Sequence, residues 1–143
     1  LYAAAHTVER HGADVPLSRA ESPGGRSIEG RIYGDAPWSR SQNWSYKWKS
    51  NEIMNVEVNR YIRSNWKKIR SDLMRKEVHT ATYQKGGVGE GYFNEGMYGT
   101  GARSAKYHHP QFVHIVIQLV PGNPPTWHVV TAYPAGIPKQ PGL

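Results

Sequence analysis

Residues 111–133 constrain the fold of this chain more than any other stretch. Two strand-like runs, 111–120 and 127–133, flank Pro121-Gly122-Asn123-Pro124-Pro125. β-Branched and aromatic runs on either side of a short Pro/Gly loop read as an antiparallel hairpin. The second run, Trp127-His128-Val129-Val130-Thr131-Ala132-Tyr133-Pro134, alternates in character and is expected to stop at its proline. Residues two apart in a strand point to the same face, so the hydroxyls of Thr131 and Tyr133 belong together on one side of a sheet.

The second strong signal is a helix over 51–76. Ile53, Met54, Val56, Tyr61, Ile62, Trp66, Ile69 and Leu73 recur at helical spacing, and Ser50 or Asn51 can cap the start. A short helix is expected over 2–11, where three alanines favour it and Gly12 can stop it. On it His6 and Arg10 share a face. Glycines and prolines punctuate 13–50, with room for short strands such as 27–33, and 77–84 alternates as a strand. Residues 85–103 are glycine-rich and read as a loop or bulged hairpin. Gly86-Gly87-Val88-Gly89-Glu90-Gly91 lacks the Gly-Lys-Ser/Thr ending and the strand–helix context of a phosphate loop. Helices ahead of strands predict an α+β fold, with N-terminal helices packed on a C-terminal antiparallel, curved β-sheet. At 143 residues one domain is expected, spanning 1–143.

Charge narrows the partners. Eighteen Lys and Arg against eleven Asp and Glu give a net charge of +7. The basic residues are spread along the chain, as on a charged face that attracts a polyanion, most simply nucleic acid. Arg19, Arg26, Arg31 and Arg40 are interleaved with Trp38, Trp44, Tyr46 and Trp48, which suits phosphate contact and base stacking. There is no cysteine, so disulfides, thiolate zinc sites and cysteine nucleophiles are excluded. No run is apolar enough for a membrane span, which needs about 18 residues.

The carboxylates are scattered and no pair stands out, so the seven histidines are the better pool for acid–base work near neutral pH. His108-His109-Pro110 with His114 suggests a metal site, and hence a metal-dependent DNase. No nearby carboxylate completes that ligand set.

Three segments carry a family resemblance. His6-Thr7-Val8-Glu9-Arg10-His11-Gly12, followed by Leu17-Ser18-Arg19, resembles the opening motif of bacterial polymorphic toxin ribonucleases. These are C-terminal domains of contact-dependent inhibition and related secreted proteins. Thr131-Ala132-Tyr133-Pro134 resembles the closing motif of their ribonuclease A-like group. Ser45-Tyr46-Lys47-Trp48 is similar to that family's serine-plus-aromatic segment. The glycine-rich loop and most of 24–43 match nothing in the family.

The resemblance implies an endoribonuclease that needs neither metal nor cofactor. It places His6, Arg19, Thr131 and Tyr133 around the scissile phosphate, with His11 a second candidate because the motif has two histidines. Arg10, Ser45 and Trp48 are the expected substrate contacts. The implied reaction is attack by the 2′-hydroxyl, leaving a 2′,3′-cyclic phosphate. The implied partners are an RNA substrate, with tRNA among the candidates, and a cognate immunity protein. The chain begins at Leu1 without a signal peptide, so it is expected to be a piece of something longer. The resemblance implies that the whole is a secreted protein acting in a target cell's cytoplasm. A ribonuclease A-type curved sheet and the sheet of barnase/EndoU-like toxins both remain open. The competing readings are a non-catalytic RNA-binding module built on 38–48 and the metal-dependent DNase.

Overall fold

The computed structural model describes residues 11–21, 25–96 and 101–136. The helix expected over 2–11, with His6 and Arg10, therefore lies outside the described residues except for His11. After a 3₁₀ turn at Arg19–Glu21, the elements run α1 (Ile28–Tyr33), β1 (Trp44–Trp48), α2 (Asn51–Ser64), α3 (Trp66–Lys76), β2 (Val78–Gln84), β3 (Gly89–Asn94), β4 (Ala105–His108), β5 (Phe112–Val120) and β6 (Thr126–Ala135). The α+β class holds. The strands form two antiparallel sheets of three, ordered β1-β3-β4 and β2-β5-β6, rather than one.

Three local expectations are corrected. Residues 27–33 form a helix, not a strand. Ser27 caps it by accepting from the Gly30 N–H at 2.8 Å, and Gly34 closes it at φ 78°. Ile28 and Ile32, one turn apart, are both fully buried by it. The long helix is two helices, interrupted at Asn65 (φ −120°, ψ 17°), whose side-chain amide bonds the Tyr61 carbonyl at 2.8 Å. Ser and Asn compete with the helix for backbone partners, which makes Ser64-Asn65 a weak point. Trp44–Trp48 is a strand inside a stretch that looked irregular, and β3 rises from the glycine-rich loop to pair with it. Gly91 makes that pairing possible, because a Cβ there would collide with the Ser45 carbonyl oxygen.

The main core lies between α2–α3 and one face of the β2-β5-β6 sheet. Ile69 and Leu73 of the helices meet Val113, Ile115, Ile117, Val129 and Ala132 of the strands, with Trp48 of β1 fully buried among them. The Trp48 indole donates to the Ala132 carbonyl at 3.0 Å and ties the two sheets together. A buried relay links the helices to β2. His79 Nδ1 donates to Asp72 at 2.8 Å, leaving Nε2 to accept from the Tyr61 hydroxyl at 2.7 Å. That bond, with support from Lys68 and Arg75, holds the Asp72 carboxyl down at about 2.

One irregularity decides what the opposite face carries. The β5–β6 register shifts between Val116 and Ile117: Ile117 pairs with Val129, but Val116 pairs with Thr131. Val130 is the extra residue of a β-bulge. A one-residue shift exchanges the faces of everything beyond it. Val129 and Ala132 therefore both reach the core, while Thr131 and Tyr133 share the face away from the helices. Strand β6 continues through Pro134 to Ala135 instead of stopping at the proline.

Candidate active site

The open face is built in rows across three strands. Thr82, His114 and Tyr133 stand side by side in one row, and Thr80, Val116 and Thr131 in the next. Their registered neighbours on the other parity, such as Ala81, Ile115 and Ala132, are the core residues. The hairpin thus delivers Thr131 and Tyr133 to one side, as their spacing predicts.

The N-terminal segment reaches this face at His11. The imidazole stacks on the Tyr133 ring, with centroids 4.6 Å apart and planes 17° apart. His114 lies against the same ring at 5.3 Å. Tyr133 thus contacts two imidazoles, and Trp44 borders it at 6.5 Å. His11 is held by β1, its Nδ1 lying 2.8 Å from the Tyr46 carbonyl oxygen. A carbonyl can only accept, so Nδ1 carries the proton and Nε2 of the neutral ring carries the lone pair. The next residue along β1 completes the anchorage. Lys47 Nζ donates to the carbonyls of Ala13 at 2.9 Å and Val15 at 3.0 Å.

Electrostatics sort the groups. Burial raises the Tyr133 phenol above its ordinary value, and the positive charge of Arg31 works against that rise. Tyr133 is accordingly a neutral hydrogen-bond donor at physiological pH. Burial lowers the His114 pKa, which favours the neutral ring, and Thr82 Oγ1 bonds its Nδ1 at 2.7 Å. The Thr131 hydroxyl oxygen is buried and makes no hydrogen bond among the described residues. A native fold seldom buries a hydroxyl without a partner.

Of the sequence-derived candidates, His11, Thr131 and Tyr133 share this region, whereas His6 and Arg10 lie outside the described residues. Arg19, expected beside the scissile phosphate, is paired with a carboxylate instead. Its Nε and Nη2 bind both oxygens of Asp35, at 2.8 and 3.0 Å, and its guanidinium lies 4.1 Å over the Tyr33 ring. Trp48 is a core residue with no exposed surface, which removes it as a substrate contact. Ser45 is also buried, and its hydroxyl oxygen has no partner among the described residues.

The histidines proposed for a metal are separated. His108 bonds the Tyr46 hydroxyl at 3.0 Å in one sheet, His109 packs edge-on to Tyr107, and His114 belongs to the other sheet. Among the described residues no three His, Asp or Glu side chains are grouped to hold a metal ion.

Sequence reading missed His114 as a partner of Tyr133, and missed Tyr46 and Lys47 as the anchors of His11. The parity of β5 relative to β6 was the available signal for His114, but the bulge hides it. No family model, curated protein or solved structure matches the chain.

Proposed function

We propose that this domain is a metal-independent endoribonuclease that cleaves RNA through attack of the 2′-hydroxyl on the adjacent phosphate. The observation that carries the reading is the His11–Tyr133–His114 cluster, with His11 Nδ1 held by the Tyr46 carbonyl so that the role of base falls to Nε2. His11 Nε2 takes the proton of the 2′-hydroxyl as its oxygen bonds to phosphorus. Tyr133 donates a hydrogen bond where charge builds on the phosphorane oxygens, with Thr131 beside it on the same strand face. The bond to the 5′ oxygen breaks, water protonates that oxygen, and a 2′,3′-cyclic phosphate remains. His114 keeps the Tyr133 ring in place and is itself fixed by Thr82. The positive charge of Arg31 acts on the Tyr133 phenol, which makes Arg31 a candidate cation for this face.

The motif resemblance and the +7 charge extend this to a toxin used in interbacterial competition. It would be the effector part of a larger secreted protein, act in the target cytoplasm and be neutralised by an immunity protein. A basic domain suits an inhibitor with an acidic surface.

The test is incubation of the purified domain with RNA and with DNA, each with and without EDTA. RNA cleavage that persists in EDTA and is lost in His11→Ala supports the proposal. Tight RNA binding without cleavage would replace it with the binding-module reading, and chelator-sensitive DNA cutting with the nuclease reading.

A further inference from the structure

A second basic feature lies in the part of the chain that the family motifs leave out. Helix α1 and the loop after it enclose a cavity of about 270 Å³ lined by Arg26, Arg31, Arg40, Trp38, Pro37, Ser39 and Gln42. Three arginines line it, and no carboxylate does among the described residues.

The cavity is built rather than incidental. The Trp38 indole is fixed by donating to the Ser27 carbonyl at 2.9 Å. Arg26 and Arg31 both lie over its ring, at 5.4 and 4.8 Å. The Gln42 N–H bonds the Arg31 carbonyl at 3.0 Å and holds the loop to the helix. Arg103 arrives from the segment before β4 and bonds the carbonyls of Ile32 and Gln42 and the Asn43 side chain. One arginine is thus used to brace the wall while three others line the cavity. Guanidinium groups offer several donors in a planar fork, and three of them around one cavity suit the oxygens of a phosphate. A nucleobase fits less well, because two guanidiniums already occupy the Trp38 ring.

Position ties the cavity to the open face. Asn43, braced by Arg103, is followed directly by Trp44, which borders Tyr133. Arg31 is shared, since it lines the cavity and lies within electrostatic range of the Tyr133 phenol.

We propose that this cavity is a phosphate subsite, binding a backbone phosphate of the same RNA strand next to the one that is cut. The proposal rests on the ribonuclease reading but is tested separately from it. It predicts that the enzyme prefers oligonucleotides to a dinucleoside monophosphate, which carries only the scissile phosphate.

The experiment measures kcat/KM for a hexaribonucleotide and for a dinucleoside monophosphate, in wild type and in Arg40→Gln and Arg26→Gln/Arg40→Gln. Arg40 is exposed, so its single variant does not burden folding. The hexamer-to-dimer ratio should fall by ~5-fold or more in the single variant and further in the double. The slope of log affinity against log salt should flatten by roughly 0.7 for each phosphate the variant no longer neutralises. An unchanged ratio in both variants overturns the subsite. Binding of an all-2′-O-methyl hexamer, which cannot be cleaved, separates the two proposals. If no RNA is cut but this probe binds in an Arg40-dependent way, the subsite stands and the ribonuclease reading falls. If RNA is cut but probe binding ignores Arg26 and Arg40, the subsite falls alone.

Discussion

Lys47→Met tests how the site is assembled. Lys47 is only 9% exposed, and its ammonium holds two carbonyls of the segment that carries His11. A hydrogen bond from a charged donor contributes about 1.5–3 kcal/mol, and two such bonds, less the cost of desolvating the ammonium, leave about 2–4 kcal/mol for the clamp. Methionine keeps the buried stem and removes the donors. The ratio of docked to undocked segment should then fall by roughly 30- to 900-fold. Trp48 and the α2–α3 core are untouched, so the loss is expected to be local. Amide exchange should speed up at Val15, whose N–H bonds the Gly12 carbonyl at 3.1 Å, while the β5 amides stay protected. RNA cleavage should fall by at least ~10-fold, with a smaller change in melting temperature than a core truncation causes. Full activity with unchanged exchange at Val15 would refute the idea that this clamp seats His11.

Other outcomes follow from the packing and the titrating groups. Trp48→Ala should lower stability by about 3–5 kcal/mol in denaturant unfolding, because it empties a core site and strips the Ala132 carbonyl of its partner; a stable variant with selectively weakened RNA binding would restore Trp48 as a substrate contact. Gly91→Ala should unfold the β1–β3 pairing, since the new methyl meets backbone, and circular dichroism should show a lowered melting temperature. Asp72 has a folded pKa below its ordinary value, so its contribution is present above pH ~4 and is lost as pH falls towards about 2. Melting temperatures across that window should decline less steeply in Asp72→Asn than in wild type. His114, whose pKa is lowered by burial, binds its proton more readily when unfolded, so stability should fall as pH drops below its ordinary value of 6.5, and His114→Gln should flatten that limb.

The parts of this fold legible in the sequence are those set by local pattern. The β5–β6 hairpin announces itself through its proline loop, and the apolar spacing over 51–76 marks both α2 and α3. The α+β class follows from these. What stayed hidden depends on partners far along the chain. Trp44–Trp48 is a strand because Gly89–Asn94 lies beside it, and both stretches look irregular alone. The 27–33 stretch has β-branched and aromatic residues that suit a strand, but its Ser27 and Gly34 caps decide for a helix.

The site divides along the same line. Thr131 and Tyr133 were readable as a pair from period-two spacing. Their side of the sheet was not, because Val130 bulges and nothing in Val129-Val130-Thr131 marks which residue is extra. His114 was grouped by sequence proximity with His108 and His109, whereas strand pairing assigns it to Tyr133 and Thr82. Arg19 matched a motif position, but its pairing with Asp35, sixteen residues away, is a tertiary fact.

The most direct test of the central claim is end-group analysis of RNA cut in excess EDTA. The substrate is an oligonucleotide carrying one ribose among deoxyriboses, offered to wild type and to His11→Ala. The proposed mechanism predicts a single cut 3′ to the ribose with a 2′,3′-cyclic phosphate end, and a loss of at least ~100-fold in the variant. Cleavage at deoxyribose positions, or equal rates with and without His11, would contradict it.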